Sequence, residues 1–362
     1  MGVVRWRRRA LVALLATTVV VGVMGLRPAW ADPPPVAQRQ LTVASYNLYL
    51  GADLTRLFSA TTPAELVQRA GQIYANVVKT DFPARAEAIA ELLAANPPEV
   101  VGLQEVALWE TGPIGGQLTP SYDFLQLLLD ALARHGLAYR PAAVNANFSS
   151  GGPIPIDATT AARFSDRDVI LARADLPAAL VGVSSPESHN FAARLVIPTG
   201  IPGLSFSVPR GWSAVDVKVR GKTVRFVNTH LEAFSAPVRN AQATELATAL
   251  AHSPRPVVLA GDLNSRPDDT LGAYGTFGGA GYADAWTVAQ GPDGGFTSGQ
   301  SELLDNVPSL LDHRIDYVLY QPGTVEALHA EVIGDELGDR TLSGLWPSDH
   351  AGVVATLHLA RP

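Results

Sequence analysis

Residues 256–264 read PVVLAGDLN. Val257, Val258, Leu259 and Ala260 form a short continuous apolar run, which suits a strand buried on both faces. The run closes on Gly261, Asp262 and Asn264. A buried strand has no packing use for a carboxylate, and an unpaired one there is costly. Such a strand places a working acid at the end of a sheet.

The same form recurs in both directions along the chain. Upstream, TVRFVNTHL (223–231) closes on Asn228, Thr229 and His230; downstream, RIDYVLY (314–320) opens on Arg314 and Asp316. Near the start, LTVASYNL (41–48) closes on Tyr46 and Asn47, and EVVGLQEV (99–106) on Gln104 and Glu105. Ser348, Asp349 and His350 lead into AGVVATLHL (351–359). Further strands are expected at 139–144, 168–173 and 212–219. Helical periodicity predicts helices over 63–78, 84–95, 121–135 and 239–251, the second stopped by Pro97 and Pro98. Residues 145–160 read as a Gly/Pro/Ser-rich loop, and 272–281 are Gly-rich. There is no fixed-period repeat, so one α/β domain over 40–362 is expected.

The ordered set YN, LQE, NTHLE, GDLN, RIDYVL and SDH resembles the endonuclease/exonuclease/phosphatase superfamily, from Ser45 to Gly352. That family includes pancreatic-type DNases, abasic-site endonucleases, bacterial sphingomyelinases and inositol-polyphosphate 5-phosphatases. The resemblance implies a DNase I-like α+β fold, a four-layer α/β/β/α sandwich with the site at one end of two packed sheets.

It also implies roles, residue by residue. Glu105 is similar to the family's principal metal carboxylate. Asn47 would offer an amide oxygen to metal or phosphate, and Asp349 would be a direct metal ligand or the partner of one. The metal would be Mg²⁺, with Mn²⁺ or Ca²⁺ as alternatives, since a hard cation takes oxygen ligands and keeps several waters. Asp262 would orient and deprotonate the attacking water, and Asn264 would bond a non-bridging phosphate oxygen. His230 would stabilise the pentacovalent oxyanion or assist the leaving group. His350 would lie against the scissile phosphate with Asp316 beside it. A carboxylate next to imidazole fixes its tautomer and favours the charged form, which leaves a general base and a cationic clamp both open. The segment Asp284-Ala285-Trp286 resembles a family stretch read as packing, and Tyr46 and Tyr317 are read likewise. His135 is expected to cap a helix. His189, His252, His313, His329 and His358 are expected to be structural.

The N-terminus carries a basic cluster, RWRRR (5–9), an apolar run over 10–26, and Ala29-Trp30-Ala31. That is the layout of a secretory signal peptide over 1–31, followed by a Pro-rich linker over 32–39. A membrane anchor is the alternative, because the run approaches the roughly 17–25 residues that span a bilayer. The adjacent arginines also permit twin-arginine export. The expected location is extracellular, with retention at the cell surface open.

The chain has no cysteine, which excludes disulfides, thiolate nucleophiles and zinc–thiolate sites. Residues 1–31 hold five arginines and no acid, so their removal leaves 22 basic and 34 acidic residues, a formal charge of −12. That disfavours, without excluding, a long nucleic acid as substrate, because affinity for one comes mainly from phosphate neutralisation.

Two segments stand out as sources of selectivity: the polar stretch 145–167, with Arg163 and Arg167, and FAARLVIPTGIPGLSFSVPRGW over 191–212. The second reads either as a core hairpin with Pro-rich turns or as an apolar hairpin in contact with a membrane surface. The expected activity is hydrolysis of a phosphodiester in a lipid head group or other small phosphate ester. A secreted nuclease is the alternative, and a non-catalytic binding module of the same fold is the alternative of another class. No oligomer is indicated.

Overall fold

Along the strand Gln40–Asn47, side chains alternate between two cores. Leu41 and Val43 face one, and Ala44 and Tyr46 face the other, as the two-residue period of a strand requires. The computed structural model describes residues 39–360. The signal peptide expected over 1–31 and all of the expected Pro-rich linker except Arg39 lie outside the described residues.

Gln40–Asn47 sits within a nine-stranded sheet. Its neighbours are Gly352–Leu359 on one side and Val100–Gln104 on the other, continuing to Thr160–Arg173, Leu108–Pro113 and Thr119–Asp123. A six-stranded sheet runs Ala283–Asp284, Asp316–Tyr320, Val257–Asp262, Lys222–His230, Gly211–Val219 and Val181–Asn190. Alternation in the second sheet mirrors the first. Val215, Phe226, Val258 and Val318 join Val43, Ile170 and Val353 in a core between the sheets. Val227, Leu259 and Leu319 turn outward onto Leu246 of the helix Ala236–Leu250 and Phe277 of the helix Ala273–Gly279.

The outer face of the larger sheet is covered by Pro63–Lys79, Phe82–Ala95 and Phe124–Arg134, through Ile73, Ile89 and Leu128 among others. The result is the expected α/β/β/α order of layers, in which each amphipathic element finds a face to bury. Two of those helices begin where their sequences dictate. Thr62 and Asp81 cap them by accepting from Glu65 N–H and Ala84 N–H, with proline in the first turn of each.

Register sets out the site. His230 lies opposite Asp262, and Asp262 opposite Asp316, across three neighbouring strands of one sheet. Asn47 lies opposite Gln104 in the other. Asn228 latches the two sheets together below this edge: its Nδ2 donates to Leu103 O at 2.9 Å, and its Oδ1 accepts from Gln104 Nε2 at 2.7 Å. Gly102 makes that approach possible, because a Cβ there would stand 2.6 Å from Asn228 Oδ1. Gly102→Ala is therefore expected to lower the unfolding free energy by about 1–3 kcal/mol, the usual range for overpacking, as read by urea denaturation.

Some expectations are corrected. Residues 145–160 are a loop only over 150–153 and 156–159. Tyr139–Ser149 pairs with the long strand Thr160–Arg173, and Ile154–Pro155 pairs with its start. Helix 121–135 begins only at Phe124, because Thr119–Asp123 pairs with Leu108–Pro113. The Gly-rich stretch contains the short helix Ala273–Gly279. Segment 191–212 does contain a hairpin, Leu195–Pro198 with Ser205–Val208. Its Phe206 and Val208 are buried, Leu195, Ile197 and Leu204 pack partly buried against the same core, and Trp212 is buried in its strand. The apolar face drawn on for membrane contact is turned inward. Among the described residues, no helix is long and apolar enough to cross a membrane.

Candidate active site

A cleft of about 350 Å³ opens at the edge where the strand ends gather. Glu105, His230, Asp262, Asn264, Asp349 and His350 all line it. Asp316 and Asn47 lie behind them, each about 1 % exposed. Thus the eight residues singled out in the sequence converge on one place.

Asp262 is held by three neighbours. Its Oδ1 accepts from Asn264 N–H at 2.8 Å, its Oδ2 from Asn47 Nδ2 at 3.1 Å, and His230 Nε2 lies 3.5 Å from Oδ2. Burial and the charge of Asp316 push its pKa up to about 7, against the lowering influence of His350, Asn264 and Asn47.

The amide oxygen of Asn47 accepts from Tyr49 N–H at 3.0 Å while the amide nitrogen donates to Asp262 Oδ2, which leaves that oxygen one further lone pair. Asn264 Nδ2 donates to Leu231 O at 3.0 Å. This leaves it one further N–H to offer.

His350 and Asp316 form the expected pair, with Nδ1 at 2.8 Å from Oδ2. Burial opposes charge on His350, but Asp316, Asp349 and Asp262 together hold its pKa well above the ordinary value. Asp262, Asp316 and His350 bring ligand-type atoms within 4.8 Å of one another. With Nδ1 already bonded to Asp316 and 4.0 Å from Asp262 Oδ2, this trio is better described as a buried imidazole between two carboxylates than as a metal cage.

His230 differs from His350 in charge. Arg210 Nη1 lies 3.0 Å from its Nδ1 and 3.2 Å from Asp166 Oδ2. Arginine can only donate, so Nδ1 accepts and the proton of neutral His230 sits on Nε2, facing Asp262. Burial, Arg210 and His350 all hold the His230 pKa well below its ordinary value. Arg210 and Asp166 escaped the sequence reading. Behind Asp166 lies Asp168, whose Oδ2 accepts from Asn147 Nδ2 at 2.7 Å, and burial together with Asp166 keeps the Asp168 pKa well raised.

Glu105 and Asp349 line the cleft and are each half-buried. Leu50 N–H donates to Glu105 Oε2 at 2.8 Å. Burial, Asp349 and Asp166 push the Glu105 pKa up to about 8. Among the described residues, neither Glu105 nor Asp349 has a Lys, Arg or His within ion-pair distance. Asp166 Oδ1 and Asp316 Oδ1 are buried without a partner. A site with this surplus of carboxylate oxygen fits a hard divalent cation.

Backbone strain gathers here too. Tyr49, Glu105 and Asn264 have φ of 58°, 56° and 49°, a left-handed conformation that non-glycine residues seldom hold unless their surroundings impose it. Arg85, fully buried, supplies part of that constraint. It donates to Leu48 O, Tyr49 O, Thr80 O and Pro347 O, and so ties the end of the first strand to the turn before Asp349. Asp284, expected only to pack, pairs with the buried Arg314 of the RIDY motif and caps the helix Ala285–Gln290.

Comparison with known proteins agrees with this geometry. The model of the endonuclease/exonuclease/phosphatase family matches residues 44–350. No curated protein matches the chain. Among solved structures, a family protein from Bacteroides thetaiotaomicron is 18% identical, covers 88% of this chain and 97% of its own, and superposes with a TM-score of 0.55. A mannosyl-6-phosphatase from the same species gives 18%, 88%, 99% and 0.54. Humanized D. rerio TDP2 gives 18%, 88%, 99% and 0.53. At these identities the likeness is one of fold, whereas the family match spans most of the chain. This chain belongs to the endonuclease/exonuclease/phosphatase family.

Proposed function

We propose that this protein is a metal-dependent phosphodiesterase, exported behind a signal peptide over 1–31, that cuts the ester of a lipid head group or another small phosphate. The observation that carries the reading is the convergence on one cleft of three buried groups whose neighbours pull their protonation in opposed directions. Asp262 is an acid tuned near neutrality, His350 is held charged, and His230 is held neutral with its proton on Nε2.

That arrangement supports a division of labour. Asp262, fixed by Asn47 and Asn264, accepts a proton from the attacking water, because a group already protonated, as His350 is, cannot. The water oxygen forms a bond to phosphorus, the P–O ester bond breaks, and the departing oxygen takes up a proton. His350 offers a charged donor to the phosphate, and His230 a neutral one. Positioned donors of this kind stabilise charge as it develops. Glu105 and Asp349 would hold a divalent cation, Mg²⁺ in the first instance, whose positive charge favours negative charge on the phosphate oxygens.

The cleft rim also carries Asp53 and Glu302. Glu302 is paired with Arg56, but Asp53 adds negative charge there, which disfavours a polyphosphate strand and supports the small-ester reading over the nuclease. The test is hydrolysis of bis-p-nitrophenyl phosphate, of sphingomyelin and phosphatidylinositol liposomes, and of plasmid DNA, with Mg²⁺ and with EDTA. The expected result is turnover of the small or lipid esters that EDTA abolishes and added metal restores. Preferred cutting of plasmid DNA would replace this reading with the nuclease, and folded protein inert on every substrate with several metals would overturn it.

A further inference from the structure

Much of the cleft lining has no polar work to do. Beside Glu105, Asp262 and His350, the cleft is lined by an apolar wall of Leu54, Phe58, Phe148, Phe164, Val208 and Phe234. These side chains come from five separate segments. Leu54 and Phe58 follow the first strand, Phe148 and Phe164 lie on the paired long strands, Val208 ends the 195–208 hairpin, and Phe234 follows the NTHLE motif.

The wall is rigid. Phe58 stands edge-on to Phe148 at 6.3 Å and packs on Phe206 at 5.3 Å, while Phe148 lies 6.0 Å from Phe164. The buried hairpin thus backs the wall with Phe206. Phe234 is different: it lines the cleft yet is 59% exposed, so an occupant of the cleft would cover apolar surface that now faces water. A volume of about 350 Å³ is near the low end of small-ligand sites, roughly 300–1,000 Å³. It suits a phosphate and one ring or short chain.

We infer that this wall is a subsite for an apolar arm, aryl or alkyl, esterified to the phosphate that is cut. The inference rests on the phosphodiesterase reading and narrows its substrate class. The subsite takes its occupant by burial of apolar surface, the ring of Phe234 included. A polyol arm such as glycerol gains nothing there, since its hydroxyls would lose water without finding partners. Small apolar differences in a pocket are worth about 10- to 200-fold in specificity, which sets the scale of the test.

Binding is measured first, by titration calorimetry on the whole protein with phenylphosphonate and methylphosphonate. Phenylphosphonate is expected to bind about tenfold tighter, and Phe234→Ser to remove most of that preference. Hydrolysis is measured next. Phe234→Ser and Phe58→Ser are each expected to lower kcat/KM for bis-p-nitrophenyl phosphate about tenfold more than for bis-glyceryl phosphate. Intrinsic reactivity cancels in each variant-to-wild-type ratio, and thermal melting checks that the variants fold. A monomeric dihexanoyl phospholipid run beside the aryl ester separates the two sources of an apolar arm: the better substrate of the two should be the one more impaired by Phe234→Ser. Equal binding of the two phosphonates, with an unchanged ratio in active variants, would overturn the subsite and leave the phosphodiesterase reading intact. Preferential binding of phenylphosphonate without hydrolysis of any ester would keep the subsite and sink the phosphodiesterase reading.

Discussion

Asp262→Asn is expected to lower kcat for phosphodiester hydrolysis by about 10³-fold, within the range of 10²–10⁴ that general acid–base groups contribute, while the protein melts no earlier than wild type in metal-free buffer at pH 8. The two halves of this prediction have one cause. Asp262 sits among Asp316, Asn47 and His230, and burial with the Asp316 charge pushes its pKa from 3.8 up to about 7. An acid whose folded pKa is raised binds its proton more tightly in the folded state. Its contribution to stability is complete below pH 3.8 and is lost as pH rises through about 7. At pH 8 the ionised carboxylate is therefore a burden on the fold, and the neutral amide relieves it. The same neutrality removes the cleft carboxylate that Asn47 and Asn264 fix in place to take a proton from water. Steady-state kinetics and melting curves at pH 8 measure both effects. A kcat within tenfold of wild type would take the base away from Asp262. A sharply lower melting temperature would mean that its bonds to Asn47 and Asn264 outweigh the burden of its charge.

The architecture was legible for a simple reason. Each central strand is apolar on both faces because each sheet is covered on both, so runs such as VVLA at 257–260 and VVATL at 353–357 announce themselves. The site was legible where polar residues end those runs, as at Asn47, Glu105, His230 and Asp262. It failed where a strand carries polar residues inward. Along Thr160–Arg173 the buried positions include 162, 164, 166 and 168, a clean two-residue alternation, but Asp166 and Asp168 occupy two of them. A reading built on hydrophobic alternation leaves Asp166 in the polar stretch 145–167 and begins the strand only at Asp168. Asn145 and Asn147 misled in the same way on the paired strand. The alternation itself was the available signal, extending from Ala162 to Val169 past the point where polarity obscured it. Arg210 was hidden differently, between Pro209 and Gly211, where nothing in the spacing says that its guanidinium turns into the cleft. Arg85 lay on a helix whose charged residues are ordinarily solvent-facing.

Arg210→Met should be the most informative substitution at the site, with an expected loss of about 10²-fold in kcat and about 3–5 kcal/mol in stability, the usual cost of breaking a buried ion pair from one side. Arg210 serves two neighbours, Asp166 Oδ2 at 3.2 Å and His230 Nδ1 at 3.0 Å. Methionine fills a similar volume but leaves Asp166 buried without its cation, and leaves His230 without the donor that fixes its proton on Nε2. The His230 pKa is now held low by burial, by Arg210 and by His350, so removing one of those influences must raise it. A positioning role and a merely structural one separate in the double variant Arg210→Met with Asp166→Asn. Neutralising Asp166 removes the stranded charge, and most of the lost stability should return. It does nothing for the tautomer of His230, so kcat should stay low, and the His230 ring nitrogens should titrate at higher pH than in wild type when followed by ¹⁵N NMR. If kcat instead recovers in step with stability, Arg210 holds the fold and not the histidine. If it stays low while the protein is stable, the buried arginine is what keeps one of the two cleft histidines neutral beside its charged partner.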